Sequence, residues 1–155
     1  MENLPYRAGV GIMLLNANNR VFVAKRIDTI SEAWQMPQGG IDSGEDEDSA
    51  VYREVLEETG MPNYSLKIIK KSSQYFYYNL PYKLQKKFWG GKYLGQKQRW
   101  YLFEFCADET LININTEHPE FSDWQWVEKN ILIDLIVGFK KDLYHNVLKE
   151  FASYL

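Results

Sequence analysis

The chain has 155 residues, 45% of them hydrophobic and 25% charged, which is typical of one soluble globular domain over residues 1–155. Its formal net charge of −3 is too small to indicate or exclude a class of partner. The single Cys106 excludes an internal disulfide, and no apolar run approaches the roughly 18 residues needed to span a bilayer. Because the N-terminus also lacks the regions of a signal peptide, we expect a cytoplasmic protein with no membrane contact.

The first third of the chain predicts a hairpin, a glycine-rich loop and a helix. Apolar residues alternate on either side of the turn-like segment 16–19, which favours two paired strands. Glycines mark a loop between residues 39 and 44. A helix is predicted from Asp46 to Thr59, because Asp46 is a suitable N-cap, acidic residues follow it, and Gly60 is a suitable terminator.

The rest of the chain predicts three strands, a long loop and a C-terminal helix. The strands are expected over residues 65–78, 97–106 and 122–127, with the loop over 80–95 and the helix from Phe139 to Phe151. Apolar residues recur every four positions along that helix, as on a buried face. Trp124 and Trp126 are expected to pack within the sheet, and Cys106 to be a buried thiol in an apolar strand. The fold class is therefore α+β, in the sense of mixed α/β.

The charges are concentrated in two neighbouring segments. Eight of the residues between Asp42 and Glu58 are acidic, and only Arg53 is basic. Residues 67–99 contain nine basic residues and no acidic one. Two interpretations are open: two solvated faces, or metal ions flanked by side chains that bind a polyanion.

Three carboxylates share one face of the predicted helix. Glu54, Glu57 and Glu58 are spaced i, i+3 and i+4, so their side chains leave the helix together and repel one another. A divalent cation such as Mg²⁺ or Mn²⁺, which prefers oxygen ligands, removes this repulsion. A solvated acidic face is the alternative when such a pattern stands alone.

The residues around these glutamates make the pattern specific. Gly39 is followed after five residues by Glu45, and after seven more by the run from Arg53 to Met61. Segment 39–61 thereby resembles the Nudix box with every fixed position filled. The resemblance implies the Nudix fold, a mixed β-sheet between α-helices, and metal-dependent attack of water on a phosphoanhydride.

The same resemblance assigns roles within the box. Glu54, Glu57 and Glu58 would be catalytic residues and ligands of Mg²⁺, with Mn²⁺ or another divalent cation as a substitute. Gly39, Glu45, Arg53 and Gly60 would support the loop and helix, with Arg53 paired to Glu45.

Segments outside the box resemble one branch of the Nudix family. They are Tyr6-Arg7 and residues 34–41, 75–81, 95–98, 119–127, 139–144 and 149–152. That branch contains the bacterial RNA pyrophosphohydrolases, which remove pyrophosphate from 5′-triphosphorylated RNA, and the related dinucleoside polyphosphate hydrolases. Glu120 resembles an extra carboxylate that completes the metal site or accepts a proton from water; a surface glutamate is the alternative.

Five residues are candidates for substrate binding. Arg7 and Arg26 suit bidentate phosphate contacts, Lys97 suits a point-charge contact, and Tyr78 suits stacking on a base. Gln96 lies in one of the segments that resemble the branch. Ordinary surface positions for the cations, and core packing for Tyr78, are the alternatives.

Two substrates and one non-enzymatic role are compatible with these features. A 5′-triphosphorylated RNA is favoured, because phosphates beyond the first nucleotide would interact with the basic segment. Dinucleoside polyphosphates are the second hypothesis. A non-catalytic nucleotide-binding or RNA-binding module is disfavoured, because all three box glutamates are present. No protein partner is predicted, and we expect a monomer.

Overall fold

The computed structural model describes residues 4–27 and 33–155, which form a mixed sheet with helices on both faces. The strands are β1 Tyr6–Leu15, β2 Val21–Arg26, β3 Gln38–Gly40, β4 Leu66–Asn79, β5 Gly95–Phe105 and β6 Phe121–Val127. The helices are α1 Glu47–Thr59, α2 Tyr82–Gln85, α3 Leu132–Leu135 and α4 Lys141–Glu150. In this described part of the chain, no helix is long and apolar enough to cross a membrane.

The sheet has the order β4-β5-β1-β2-β6, with β3 also paired to β1. Strands β1 and β5 are parallel along their whole paired length, and the other pairs are antiparallel. The predicted first hairpin is present, but its strands separate beyond the Leu15–Val21 pair. The chain before β3 lies in the gap: Ile12 N donates to Pro37 O at 2.9 Å, and Ala24 bridges Gln35. This separation opens the sheet where the cavity described below is formed.

Two apolar layers lie on opposite faces of the sheet. Alternate side chains of β1 point to opposite faces, so Ile12 packs under α1 while Met13 packs against α4. Val55 of α1 and Val147 of α4 belong to these two layers. The alternation confirms the predicted mixed sheet between helices.

Helix α1 begins and ends where the sequence predicts. The Asp46 side chain accepts a 2.7 Å hydrogen bond from Ser49 N, as an N-cap does. Gly60 has φ 75° and its N–H donates to Leu56 O, which is a left-handed C-cap. These caps fix the register of α1, and with it the direction of its glutamates.

The predicted loop over residues 80–95 is more structured than expected. It contains α2 and a single 3₁₀ turn, Trp89–Gly91. Leu84, Phe88 and Trp89 pack inward against the core. We call residues 80–94 the flap, because this segment covers one side of the cavity described below.

The expectation of a buried Cys106 is wrong. Strand β5 ends at Phe105, and Cys106 is exposed just beyond it. The apolar run predicted its burial, but the alternation of faces stops where the strand ends. The other packing prediction is confirmed, because both Trp124 and Trp126 stack on or against Phe22.

The acidic and basic segments meet at the start of α1. Lys71 lies 3.3 Å from Glu47 and 3.2 Å from Asp48, and Arg99 lies 3.4 Å from Glu47. These partly exposed pairs contribute little stability each. They do neutralise the acidic residues of the first turn, so part of the basic segment is used structurally.

We expect Gly60→Ala to destabilise the protein and Gly138→Ala to have almost no effect. Gly60 is left-handed, and a Cβ there would also lie 2.9 Å from the Asn113 carbonyl oxygen, whereas a Cβ on Gly138 meets nothing within 4 Å. The left-handed conformation alone costs a non-glycine residue about 1–2 kcal/mol. Urea unfolding of both variants measures the difference, and equal free energies of unfolding would contradict the capping role.

Candidate active site

Arg53 joins the loop, the helix and the carboxylates. Its Nε and Nη2 donate to the two Glu45 oxygens at 2.7 and 2.8 Å, and Nη2 also donates to Gly40 O at 2.9 Å. Its Nη1 donates to Glu54 Oε1 at 2.9 Å and to Glu57 Oε2 at 3.2 Å. Hydrogen bonds from Arg53 are the main reason that the pKa of Glu45 is lowered to about 2. The guanidinium therefore fixes β3 and the Gly-rich loop against α1, as the pairing expected from sequence requires.

Gly39 leaves the space that the Glu54 carboxylate occupies. A Cβ on Gly39 would overlap the carboxylate carbon and both of its oxygens. Strand β3 and α1 can approach this closely only with glycine at that position. This contact supports the structural role predicted for Gly39.

The carboxylates of Glu54, Glu58 and Glu120 lie together in one part of the structure, and the first two are buried. Glu58 is only 3% exposed, and its Oε2 has no hydrogen-bond partner among the residues described. Burial raises the pKa of Glu58 well above its usual range, and the charges of Glu120 and Glu54 raise it further. Burial also raises the pKa of Glu54 to about 7, although Arg53 opposes this shift. The three carboxylates line the same cavity, which is why their charges raise the pKa of Glu58.

Glu57 lies apart from these three. Its side chain is 57% exposed and is held by Arg53. Within residues 4–27 and 33–155, no three Asp, Glu, His or Cys side chains form a ready-made metal cluster. For Glu54 and Glu57 to bind a cation, their carboxylates have to share or exchange their contacts with Arg53. The orphaned Glu58 oxygen and the oxygen-only donor set fit a hard divalent cation.

A cavity of about 490 Å³ is lined by the carboxylates of Glu54, Glu58 and Glu120. Arg7, Arg26, Tyr78 and Gln96 also line it, so the structure brings four of the five predicted substrate-binding residues together with the carboxylates. The cavity thus brings carboxylates together with cations and polar side chains. Such a combination suits a phosphate chain with its counter-cations.

Lys97 is the predicted substrate-binding residue that lies elsewhere. It lines a different cleft, between the start of α1 and strand β4, and its Nζ is 4.2 Å from the centre of the Tyr75 ring. Lys97 and Gln96 are adjacent in β5, so their side chains point to opposite faces of the sheet.

Tyr78 presents its hydroxyl rather than an open ring face. The ring is buried, with Lys140 Nζ 4.9 Å and the Phe139 ring centre 6.2 Å from its centre. Its hydroxyl accepts a 3.1 Å hydrogen bond from Gln38 Nε2. Base stacking on Tyr78 stays a prediction.

Several cavity residues were not identified from sequence. They are Gln35, Gln38, Leu80, Leu84, Phe88, Trp89, Val137, Phe139 and Lys140. Lys140 is 6% exposed, and burial, followed by repulsion from Arg26, lowers its pKa to about 7. Phe139 and Lys140 lie in the segment 139–144 that resembles the branch, but only a core position for Phe139 was expected. No site role was predicted for Lys140, because its burial depends on how the start of α4 packs over β4.

The chain belongs to the Nudix family, since residues 5–147 match the model of the NUDIX domain. Among its relatives, the protein named RNA pyrophosphohydrolase from Zymomonas mobilis subsp. mobilis is 50% identical over 155 residues, which cover 100% of both chains. The RNA pyrophosphohydrolase from Sphingopyxis alaskensis is 49% identical over 151 residues, 97% of this chain and 96% of that one. These relatives confirm the family and branch that the sequence resembles.

Solved structures confirm the fold. The Escherichia coli dihydroneopterin triphosphate pyrophosphohydrolase superposes with a TM-score of 0.72 at 17% identity, covering 92% of this chain and 96% of that one. A Caenorhabditis elegans Ap4A hydrolase gives a TM-score of 0.66 at 19% identity, covering 96% and 98%. At these identities the likeness concerns the fold alone.

We expect the metal-free protein to lose stability between pH 5 and pH 7. Glu54 and Glu58 have raised pKa values, and that of Glu54 moves from 4.5 to about 7. The folded state therefore binds more protons over this range, and the stability it gains below pH 4.5 is lost as the pH rises through 7. Thermal unfolding in a chelator measures the slope.

Glu58→Gln should flatten this dependence, because it removes one of the two titrating groups. Mg²⁺ should raise the Tm of the wild type more at pH 7 than at pH 5, since it binds the ionised carboxylates. A chelated wild type whose Tm is constant or rises from pH 5 to pH 7 would contradict the electrostatic description of the site.

Proposed function

We propose that this chain is an RNA pyrophosphohydrolase. It would cleave a phosphoanhydride at the 5′-triphosphate end of RNA, releasing pyrophosphate and leaving a 5′-monophosphate. The observation that carries this proposal is the one cavity that Glu54, Glu58 and Glu120 line together with Arg7 and Arg26. The identity of about half of all residues with relatives named RNA pyrophosphohydrolase, over nearly the whole chain, supports the same assignment.

The cationic and the anionic side chains of the cavity would have different roles in phosphoanhydride hydrolysis. Arg7, Arg26 and Lys140 would bind the phosphate oxygens and offset their charge. Glu54, Glu57, Glu58 and Glu120 would hold Mg²⁺, with Glu57 turning inward from the surface. When bound, Mg²⁺ supplies charge neutralisation of the phosphate chain and a water of lowered pKa.

Proton transfer falls to the carboxylates. The attacking water gives its oxygen to phosphorus and its proton to a base as the bond to the leaving pyrophosphate breaks. Glu58 is suited to accept that proton, because its buried Oε2 has no hydrogen-bond partner among the residues described and is available to a water. Glu120, beside it, is the second candidate for this role.

The remaining walls fit the nucleoside that carries the phosphates. Leu84, Phe88 and Trp89 of the flap face Val137 and Phe139 across the cavity. Apolar and aromatic side chains offer a base a desolvated surface next to the phosphate-binding groups. A mononucleotide end fits this arrangement in either an RNA or a dinucleoside polyphosphate.

The flap favours RNA over the dinucleotide. Its outer side carries four exposed lysines, Lys83, Lys86, Lys87 and Lys92, in a stretch of the sequence without acidic residues. An RNA places further phosphates beyond the cavity, where these lysines would contact them. A dinucleoside polyphosphate has no phosphates there, so it is the second candidate substrate.

We expect Glu58→Gln and Glu57→Gln to lower kcat by about 100-fold or more while the fold is kept, because each removes one charge from the carboxylate set. Pyrophosphate release from a 5′-triphosphate RNA in Mg²⁺ measures the rate, and circular dichroism checks the fold. Glu117→Gln is the matched control, since Glu117 is exposed and lies near Glu120 in the same segment. Wild-type rates in folded Glu58→Gln would contradict the metal-binding and proton-accepting roles proposed for Glu58.

We expect Lys86→Glu with Lys87→Glu to reduce kcat/KM on RNA roughly tenfold, since two phosphate contacts are reversed in sign. Hydrolysis of diadenosine tetraphosphate should change much less. The control pair is Lys67→Glu with Lys129→Glu, which makes the same charge change at exposed sites outside the flap. Equal losses on both substrates would argue against an RNA path over the flap.

A further inference from the structure

A continuous chain of hydrogen bonds connects the buried Trp100 and Gln98 with three side chains that line the cavity, Gln38, Tyr78 and Gln96. Trp100 Nε1 donates to Gln98 Oε1 at 2.9 Å, and Gln98 Nε2 donates to Gln38 Oε1 at 3.2 Å and to Gln96 Oε1. Gln38 Nε2 donates to the Tyr78 hydroxyl at 3.1 Å. Trp100 and Gln98 are fully buried, so no water competes for these contacts.

Groups that can only donate fix the direction of this chain. A glutamine amide can be turned end for end, but an indole N–H cannot accept a hydrogen bond. Trp100 therefore holds the Gln98 oxygen on its own side and leaves the Gln98 nitrogen to donate outward. At the other end, the Lys140 ammonium donates to Gln38 Oε1 at 3.2 Å and imposes the same direction on Gln38.

The direction of the chain decides what the cavity presents to a ligand. Gln96 accepts from Gln98 through its oxygen, so its amide nitrogen is the group left to donate. Tyr78 accepts from Gln38, so its hydroxyl hydrogen is left to donate. With Arg7 and Arg26, which also line the cavity, these groups form a set of donors that we call the donor wall.

We propose that Gln98, oriented by Trp100, is a positioning residue that makes this wall recognise ligands through their acceptor atoms. Neither residue lines the cavity; both act through Gln96, Gln38 and Tyr78. The acceptors are phosphate oxygens or base carbonyl oxygens. The proposal rests on the proposed function, because it concerns how the same cavity selects its substrate.

The test reverses the direction of the chain without changing its shape. Gln98→Glu places a carboxylate where Gln98 donated, so Gln96 has to turn its nitrogen inward and its oxygen toward the cavity, while Gln38 loses one of its two donors and keeps Lys140. The KM for 5′-triphosphate RNA should rise about tenfold, equivalent to about 1.4 kcal/mol, with kcat within about twofold of the wild type. A merely structural role would lower the Tm without this shift in KM.

Trp100→Phe is the second variant, in case Gln98→Glu does not fold. It removes the indole donor and frees Gln98 to turn, so KM should rise in the same direction. Trp126→Phe is the matched control: its Nε1 is buried without a partner among the residues described, in the layer on the other face of the sheet. It should lower the Tm to a similar extent and leave KM unchanged.

Two RNAs and one inorganic ligand separate the sources of the acceptor. One RNA begins with guanosine, whose base carries a carbonyl acceptor at C6, and the other begins with adenosine, whose base carries an exocyclic amine donor at the same position. A loss confined to the first RNA assigns the wall to a base. Equal losses on both, with weaker binding of inorganic triphosphate, assign it to phosphate. Either result supports the proposal.

The proposal is overturned if folded Gln98→Glu and Trp100→Phe keep the wild-type KM and the wild-type affinity for inorganic triphosphate. It is overturned as well if Trp126→Phe raises KM as much as Trp100→Phe. Binding of inorganic triphosphate, measured by calorimetry, does not depend on turnover. A wild type that binds it but leaves RNA intact would contradict the proposed function while the donor wall is still tested.

Discussion

The arrangement of this protein depends on how Arg53 is shared among carboxylates. One guanidinium contacts Glu45, Glu54 and Glu57 and the carbonyl of Gly40, so it ties the Gly-rich loop and β3 to α1. Without a cation at this place, the buried Glu54 would face only other negative charges. By holding Glu54, Arg53 also sets the position from which Glu58 reaches the cavity, because Glu54 and Glu58 lie on the same helix. A divalent cation would meet carboxylates that are already oriented.

The acidic residues of helix α1 and its flanking loop fall into groups with different surroundings. The acidic residues at the start of α1 are neutralised by Lys71 and Arg99 of β4 and β5. Glu54, Glu58 and Glu120 instead lie in the cavity, where burial holds the pKa of Glu58 well above its usual range. Part of the charge in the two segments is therefore a paired surface. The basic residues of 67–99 do not line the cavity, whose cations are Arg7, Arg26 and Lys140, and the interpretation with bound metal ions stays a prediction.

The cavity combines three parts of the fold that are far apart in sequence. Helix α1 supplies carboxylates, strand β5 supplies Gln96 and the buried Gln98, and the segment before α4 supplies Phe139 and Lys140. Buried polar groups of this kind are costly unless every donor finds an acceptor. In the glutamine chain the donors of Trp100, Gln98 and Gln38 find acceptors, whereas the Gln96 amide nitrogen and the Tyr78 hydroxyl hydrogen are left for a ligand.

The sequence by itself determined the family, the caps of α1, the glutamate set and the positions of the long strands, because these depend on local spacing and on alternation along one segment. Only the tertiary structure decided which face of β5 borders the cavity: pairing with β1 turns Gln96 inward and Lys97 toward the other cleft. Strand β3 was missed because three residues with two glycines are extended only through pairing with β1. Lys140 lies in a segment that resembles the branch, but its place in the cavity was missed because the burial of a side chain depends on elements distant in the chain.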